Sequence, residues 1–113
     1  MKSLLTKQPR LLEPMTGCIE AAADILGSKW TALILRDIAS GHCRFCALEK
    51  TVGKINPRTL SKRLDDLELQ GIITKVTYPE VPPRVEYRLT QKGAGLLPIL
   101  EQMAAWGEKY PGA

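Results

Sequence analysis

The stretch Asn56-Pro57-Arg58-Thr59-Leu60-Ser61-Lys62-Arg63-Leu64-Asp65-Asp66-Leu67-Glu68-Leu69-Gln70-Gly71-Ile72-Ile73-Thr74-Lys75-Val76-Thr77-Tyr78 changes its period partway along. Leu60, Leu64 and Leu67 are spaced four and three apart, which puts them on one face of a helix. Asn56 suits the N-cap and Pro57 the first helical position, where a missing N–H costs nothing. Gly71 suits the far end. The outer face then carries Arg58, Thr59, Ser61, Lys62 and Asp65. From Ile72 to Tyr78 β-branched and aromatic residues take over, which favours a strand. Val85 to Leu89 alternates apolar and polar, so it reads as a second strand. Pro79-Glu80-Val81-Pro82-Pro83-Arg84 lies between them, a stiff loop whose prolines cannot donate to a ladder.

Upstream, Phe45 to Val52 reads as a short helix with Phe45, Leu48 and Val52 inward, closed by Gly53. Before it, Trp30, Leu33, Ile34, Leu35 and Ile38 are apolar on nearly every side, as in a central helix capped by Ser28 and ended by Gly41. Ile19, Ala22, Ala23 and Leu26 form one stripe that Gly27 stops. After the hairpin, Thr90 caps a final helix running on to Tyr110, with Leu97, Leu100, Ala104 and Trp106 around a broad apolar face. Residues 1–16, with Pro9, Pro14 and mixed charge, read as an arm preceding a domain at 17–113. The fold class expected is α+β, mostly α: a winged helix-turn-helix with a β-hairpin wing and further helices at both ends.

The chain has 113 residues, the size of one domain, and 44% of them are apolar, enough for a core. Three cysteines are an odd count, and residues 1–7 hold no long apolar core of a secretory leader. No stretch approaches the ~20 apolar residues that span a bilayer. The expectation is a soluble cytoplasmic protein with reduced thiols and no membrane partner.

The net charge of +4 is modest, but its distribution is not even. Residues 1–43 carry +1 and residues 64–113 carry −2, while Arg44, Lys50, Lys54, Arg58, Lys62 and Arg63 against Glu49 give residues 44–63 a charge of +5. Phosphates demand cations and donors on one surface, and each phosphate neutralised releases counterions. Base edges in a major groove need Arg, Asn, Ser or Thr near the start of a helix. Arg44, Asn56, Arg58, Thr59, Ser61, Lys62 and Arg63 are therefore the candidate DNA-binding residues of the helix-turn-helix. Arg84, at the end of the wing loop, is the candidate contact to a neighbouring groove or phosphate. A charged helical stripe taken alone is more often a solvated face. A winged-helix protein-interaction module and a metal- or small-ligand-responsive regulator are the alternatives.

These residues resemble the HxlR-type transcriptional regulators, winged-helix proteins related to the MarR group. The likeness rests on Ala23-Asp24-Ile25-Leu26-Gly27-Ser28-Lys29-Trp30-Thr31 with Leu35-Arg36-Asp37, on Arg44-Phe45, on Ile55 to Leu64, on Leu67-Glu68 and Gly71-Ile72-Ile73. The most specific part is Tyr78 to Thr90. The resemblance implies a homodimer on double-stranded DNA with an inverted-repeat operator, joined through N- and C-terminal dimerisation helices at about 12–26 and 91–109. Trp106 near the chain end agrees, since a core this small has limited use for it; the alternative is that Trp106 covers the monomer core.

Some members of that family sense oxidants or electrophiles through a cysteine just before the first helix. Cys18 occupies that position, and a helix start favours an anionic sulfur. The alternative is a small buried apolar residue. Cys43 and Cys46 depart from the family pattern. Their Cys-Arg-Phe-Cys spacing fits a redox pair or half a zinc site, but a structural zinc needs four ligands, and beyond them only His42 and Cys18 are available. Cys43 is expected to begin a short strand before the helix and Cys46 to sit near the helix start. One histidine, no phosphate-binding glycine loop and adjacent Asp65-Asp66 pointing apart leave no catalytic constellation and no cofactor site.

Overall fold

Leu60, Leu64 and Leu67, the three leucines of the deciding stretch, are at most 2% exposed. Burial of each stabilises the fold by roughly 1.5–3 kcal/mol. In this computed structural model, which describes residues 17–112, they lie on helix α4 (Pro57–Leu69). The order is α1 (Ile19–Leu26), α2 (Lys29–Ala39), α3 (Phe45–Val52), α4, β1 (Ile73–Tyr78), β2 (Arg84–Leu89), α5 (Gln91–Ala94) and α6 (Leu97–Lys109). The arm expected at residues 1–16 lies outside the described residues. Helix α2 is central, packing on α1, α3, α4, β2 and α6. It buries Ile34, Leu35 and Ile38, while Trp30 and Leu33 close over the core at its edge.

The strands form an antiparallel hairpin in the register Ile73↔Leu89 to Tyr78↔Arg84. Side chains alternate across such a ribbon. One face turns Ile73, Tyr87 and Leu89 to the core; the other carries Arg84, Glu86 and Arg88 in a row. The second strand starts at Arg84, one residue earlier than the alternation suggests, because Arg84 pairs with Tyr78. Cys43 does not begin a strand. It lies in the loop before α3, where its carbonyl accepts the Tyr87 N–H at 2.7 Å.

Helix α4 ends in a tight reversal. Gly71 has φ +75°, a conformation glycine adopts freely. Its N–H donates to Glu68 O at 3.0 Å and the Ile72 N–H to Leu67 O at 2.9 Å, the two bonds of a Schellman stop. The Thr90 hydroxyl donates to Gly71 O at 2.5 Å, and Lys92 Nζ donates to Gln70 O at 2.8 Å. The end of α4 is thus tied to the segment that follows the hairpin.

Thr90 does cap a helix, its hydroxyl accepting the Gly93 N–H at 3.1 Å. That helix is only one turn, however, and not the start of a single element reaching Tyr110. The chain breaks at Gly95-Leu96 and restarts as α6. Pro98 explains the break: it has no N–H for a continuous ladder, and its ring would meet the carbonyl four residues back.

Neither α1 nor α6 contains a buried residue. Ile19, Ile99, Met103, Trp106 and Tyr110 are exposed, Trp106 by 66%, so this tryptophan does not close the monomer core. No helix among the described residues is long and apolar enough to cross a membrane.

Candidate nucleic-acid interface

Helices α3 and α4 meet through a four-residue turn. Gly53 takes φ +113°, which lets the chain reverse, and the Ile55 N–H donates to Gly53 O at 2.8 Å. Ile55 is buried and anchors the turn beneath. Asn56 then caps α4, its side-chain oxygen accepting the Arg58 N–H at 2.7 Å. That leaves its amide NH2 group for other contacts.

With Leu60, Leu64 and Leu67 fixed inward, helical geometry sends Arg58 and Lys62 to the opposite side. Both are exposed, as is Ser61; Thr59 and Arg63 are half-buried on the flank. Lys62 Nζ stands 3.5 Å from Asp66 Oδ2, an exposed pair of the weak kind. Arg58, Lys50 and Lys54 form no ion pair with any other described residue and are exposed. Arg63 borders a cleft of about 310 Å³ whose other walls include Asp24 of α1, Thr31 of α2 and Asp66. It therefore lies at the side of α4, away from Arg58.

The wing arginines are not free. Arg84 lies over the Tyr78 ring at 4.0 Å from its centroid, 3.4 Å from Glu80 and 3.6 Å from Glu86. Arg88 Nη2 donates to Glu86 Oε1 at 2.6 Å and to the Tyr78 hydroxyl at 3.1 Å. Arg44, the N-cap of α3, reaches the same carboxylate at 3.9 Å. Glu86 is thus shared by three arginines, its side chain only 12% exposed. Burial pushes its carboxyl up, but the Arg88 hydrogen bond and the charges of Arg88, Arg84 and Arg44 outweigh this and hold it below the ordinary glutamate value. Reading the residues one by one missed this cluster. The Arg84-x-Glu86-x-Arg88 spacing was the available signal, since residues two apart on a strand share a face. Beyond these groups, the wing tip presents Val81, fully exposed.

Cys18 is the exposed N-cap of α1, without a side-chain capping bond. Cys46 is exposed in the first turn of α3 and Cys43 is half-buried. Among the described residues no group of three or more His, Cys, Asp or Glu side chains could hold a metal ion.

Residues 25–113 match the model of the HxlR-like helix-turn-helix family. An HTH-type transcriptional regulator of Methanothermobacter thermautotrophicus is 42% identical over 92 residues, 81% of this chain and 70% of that protein. Among solved structures, the redox regulator HypR in its oxidized form superposes with a TM-score of 0.79 at 36% identity, covering 84% of this chain and 98% of that one. The reduced form of the transcriptional regulator YodB from Bacillus subtilis gives 0.74 at 33% identity, covering 88% and 100%.

Proposed function

Because this chain belongs to the HxlR-like helix-turn-helix family and is a transcriptional regulator, not an enzyme, we propose that it binds double-stranded DNA as a homodimer on an inverted-repeat operator. Helix α4 enters the major groove, α3 crosses the backbone and the 79–84 wing lies against flanking DNA. The observation that carries this is the outward row of Arg58 and Lys62 opposite three buried leucines, with exposed Lys54 in the turn before α4 and exposed Lys50 on α3. Carboxylates there would be repelled by phosphate; cations gain from counterion release.

The dimer reading is supported by α1 and α6, which leave Ile19, Ile99, Met103 and Trp106 exposed among the described residues. Covering Ile99, Met103 and Trp106 with a second copy removes that surface from water. A twofold dimer matches a palindrome, with half-sites about one helical turn apart. Selection of bound genomic fragments followed by footprinting tests this. Two protected half-sites related by a dyad are expected; one asymmetric half-site contradicts the dimer.

Effector control by oxidants or electrophiles at Cys18 is the finer part of the proposal. Its support is an exposed thiol at the N-cap of α1, a helix that leaves Ile19 exposed, and the likeness to HypR, described as a redox regulator. Two such thiols near a dimer axis can oxidise together, moving the two reading heads relative to one another. Cys18→Ser should abolish the loss of operator binding caused by diamide; an unchanged response moves the role elsewhere. The alternative of a protein-interaction surface predicts no salt-dependent binding to duplex DNA.

A further inference from the structure

The Glu86 cluster is not explained by the reading of α4. An ion pair on a solvated hairpin contributes little to stability, yet Glu86, with Glu80 beside Arg84, sets two carboxylates against three guanidinium charges. Arg84 and Arg88 flank Glu86 on one face of β2, and Arg44 approaches from the start of α3, all within 3.9 Å of the carboxylate. Only the Arg88 contact, at 2.6 Å, is a hydrogen bond. Arg84 Nε is buried with no hydrogen-bond partner among the described residues, and its plane is spent on the Tyr78 ring. These arginines make up most of the positive charge of the wing and its junction with α3, where phosphates of bound DNA come close in the proposed mode.

We propose that Glu86 is a selectivity residue: its carboxylate occupies Arg44, Arg84 and Arg88 and withholds them from phosphates of non-cognate DNA. This rests on the DNA-binding reading above. A guanidinium already paired to a carboxylate must break that contact to take a phosphate, so random duplexes gain little from it. An operator that seats α4 holds its phosphates in fixed register against the wing, and exchange of carboxylate for phosphate becomes favourable there. Glu86 thereby acts as an internal competitor that lowers sequence-independent affinity more than specific affinity. It is a positioning residue, acting through the three arginines.

The test compares wild type, Glu86→Gln and Glu86→Asp by fluorescence anisotropy on a random duplex and on the selected operator, across a potassium chloride series. Glu86→Gln should bind the random duplex about tenfold more tightly at low salt, and its log–log salt slope should steepen by about one to two, the signature of added phosphate contacts. Operator affinity should rise less, so the ratio of the two falls. Glu86→Asp, which keeps the charge, should stay near wild type. A folded Glu86→Gln protein with wild-type slope and random-duplex affinity overturns the inference. Should Glu86→Gln fail to fold, Arg88→Gln decides. A withheld arginine should cost random-duplex affinity less than twofold, whereas a loss equal to that of Lys50→Ala overturns the inference. Wild type that binds no duplex overturns the DNA-binding reading itself, a different failure from a wild type that binds with an indifferent Glu86→Gln.

Discussion

Asn56 Oδ1 accepts the Arg58 N–H at 2.7 Å, so the side chain that starts α4 also fixes the backbone of the residue that leads its outer face. Asn56→Ala leaves that amide without its partner and should destabilise the fold by about 1 kcal/mol. Asn56→Asp keeps an acceptor in place and should lose much less. Urea midpoints of the two variants measure this. Equal losses would mean that the cap is not what Asn56 contributes.

Gly93 is a packing requirement. A Cβ added there would lie 2.1 Å from Ile72 O, an atom of the backbone that cannot rotate away. Its φ is ordinary, so the constraint is space alone. Gly93→Ala should therefore push α5 off the strand start and cost roughly 1–3 kcal/mol, as overpacking does. Since Thr90 and Lys92 tie the end of α4 to this segment, operator binding should weaken with it. Thermal unfolding that matches wild type would show that the helix shifts without cost.

Trp106 is exposed in the isolated chain and lies against Tyr110 in a tilted arrangement, 5.3 Å between ring centroids. If it is covered by a second copy, Trp106→Glu buries a charge in the joint and should give monomers in sedimentation, with unchanged helical content by circular dichroism. Retention of the wild-type mass would place the joint elsewhere.

The Glu86 cluster has a defined response to pH. Its carboxyl is held below the ordinary value of 4.5, so protonation in the unfolded chain precedes protonation in the folded one as acid is added. The stabilisation is complete above 4.5 and is lost only as pH falls below it, through the folded-state value. The stability difference between wild type and Glu86→Gln should accordingly be constant near neutrality and vanish in stronger acid. A difference that disappears well above 4.5 would show the carboxyl to be raised instead.

Much of this fold was readable because its signals are local. Asn56-Pro57, the leucines at 60, 64 and 67, and Gly71 fix the start, face and end of α4 within one segment. The alternation at Val85–Leu89 fixes the hairpin in the same way. Pro98 was equally visible, yet the apolar spacing of the last segment masked its effect on the helix. The Glu86 cluster was out of reach residue by residue, because Arg44 meets it only when α3 packs beside β2. Likewise, the charge count placed the basic surplus at 44–63 but could not show that Arg44 is paired and Arg63 turned to a cleft. Arg58, by contrast, stands where the period alone put it.

That placement makes the central claim direct to test. The affinity of wild type and of the Arg58→Ala/Lys62→Ala double variant for the selected operator should be measured against potassium chloride concentration. A reading face at α3 and α4 requires the wild-type affinity to fall steeply with salt, with a log–log slope of about −5 or beyond for two protomers. The double variant should have a shallower slope and lose at least ~2 kcal/mol on the operator, more than on random duplex. An operator affinity that ignores salt, or that survives the double substitution, would contradict it.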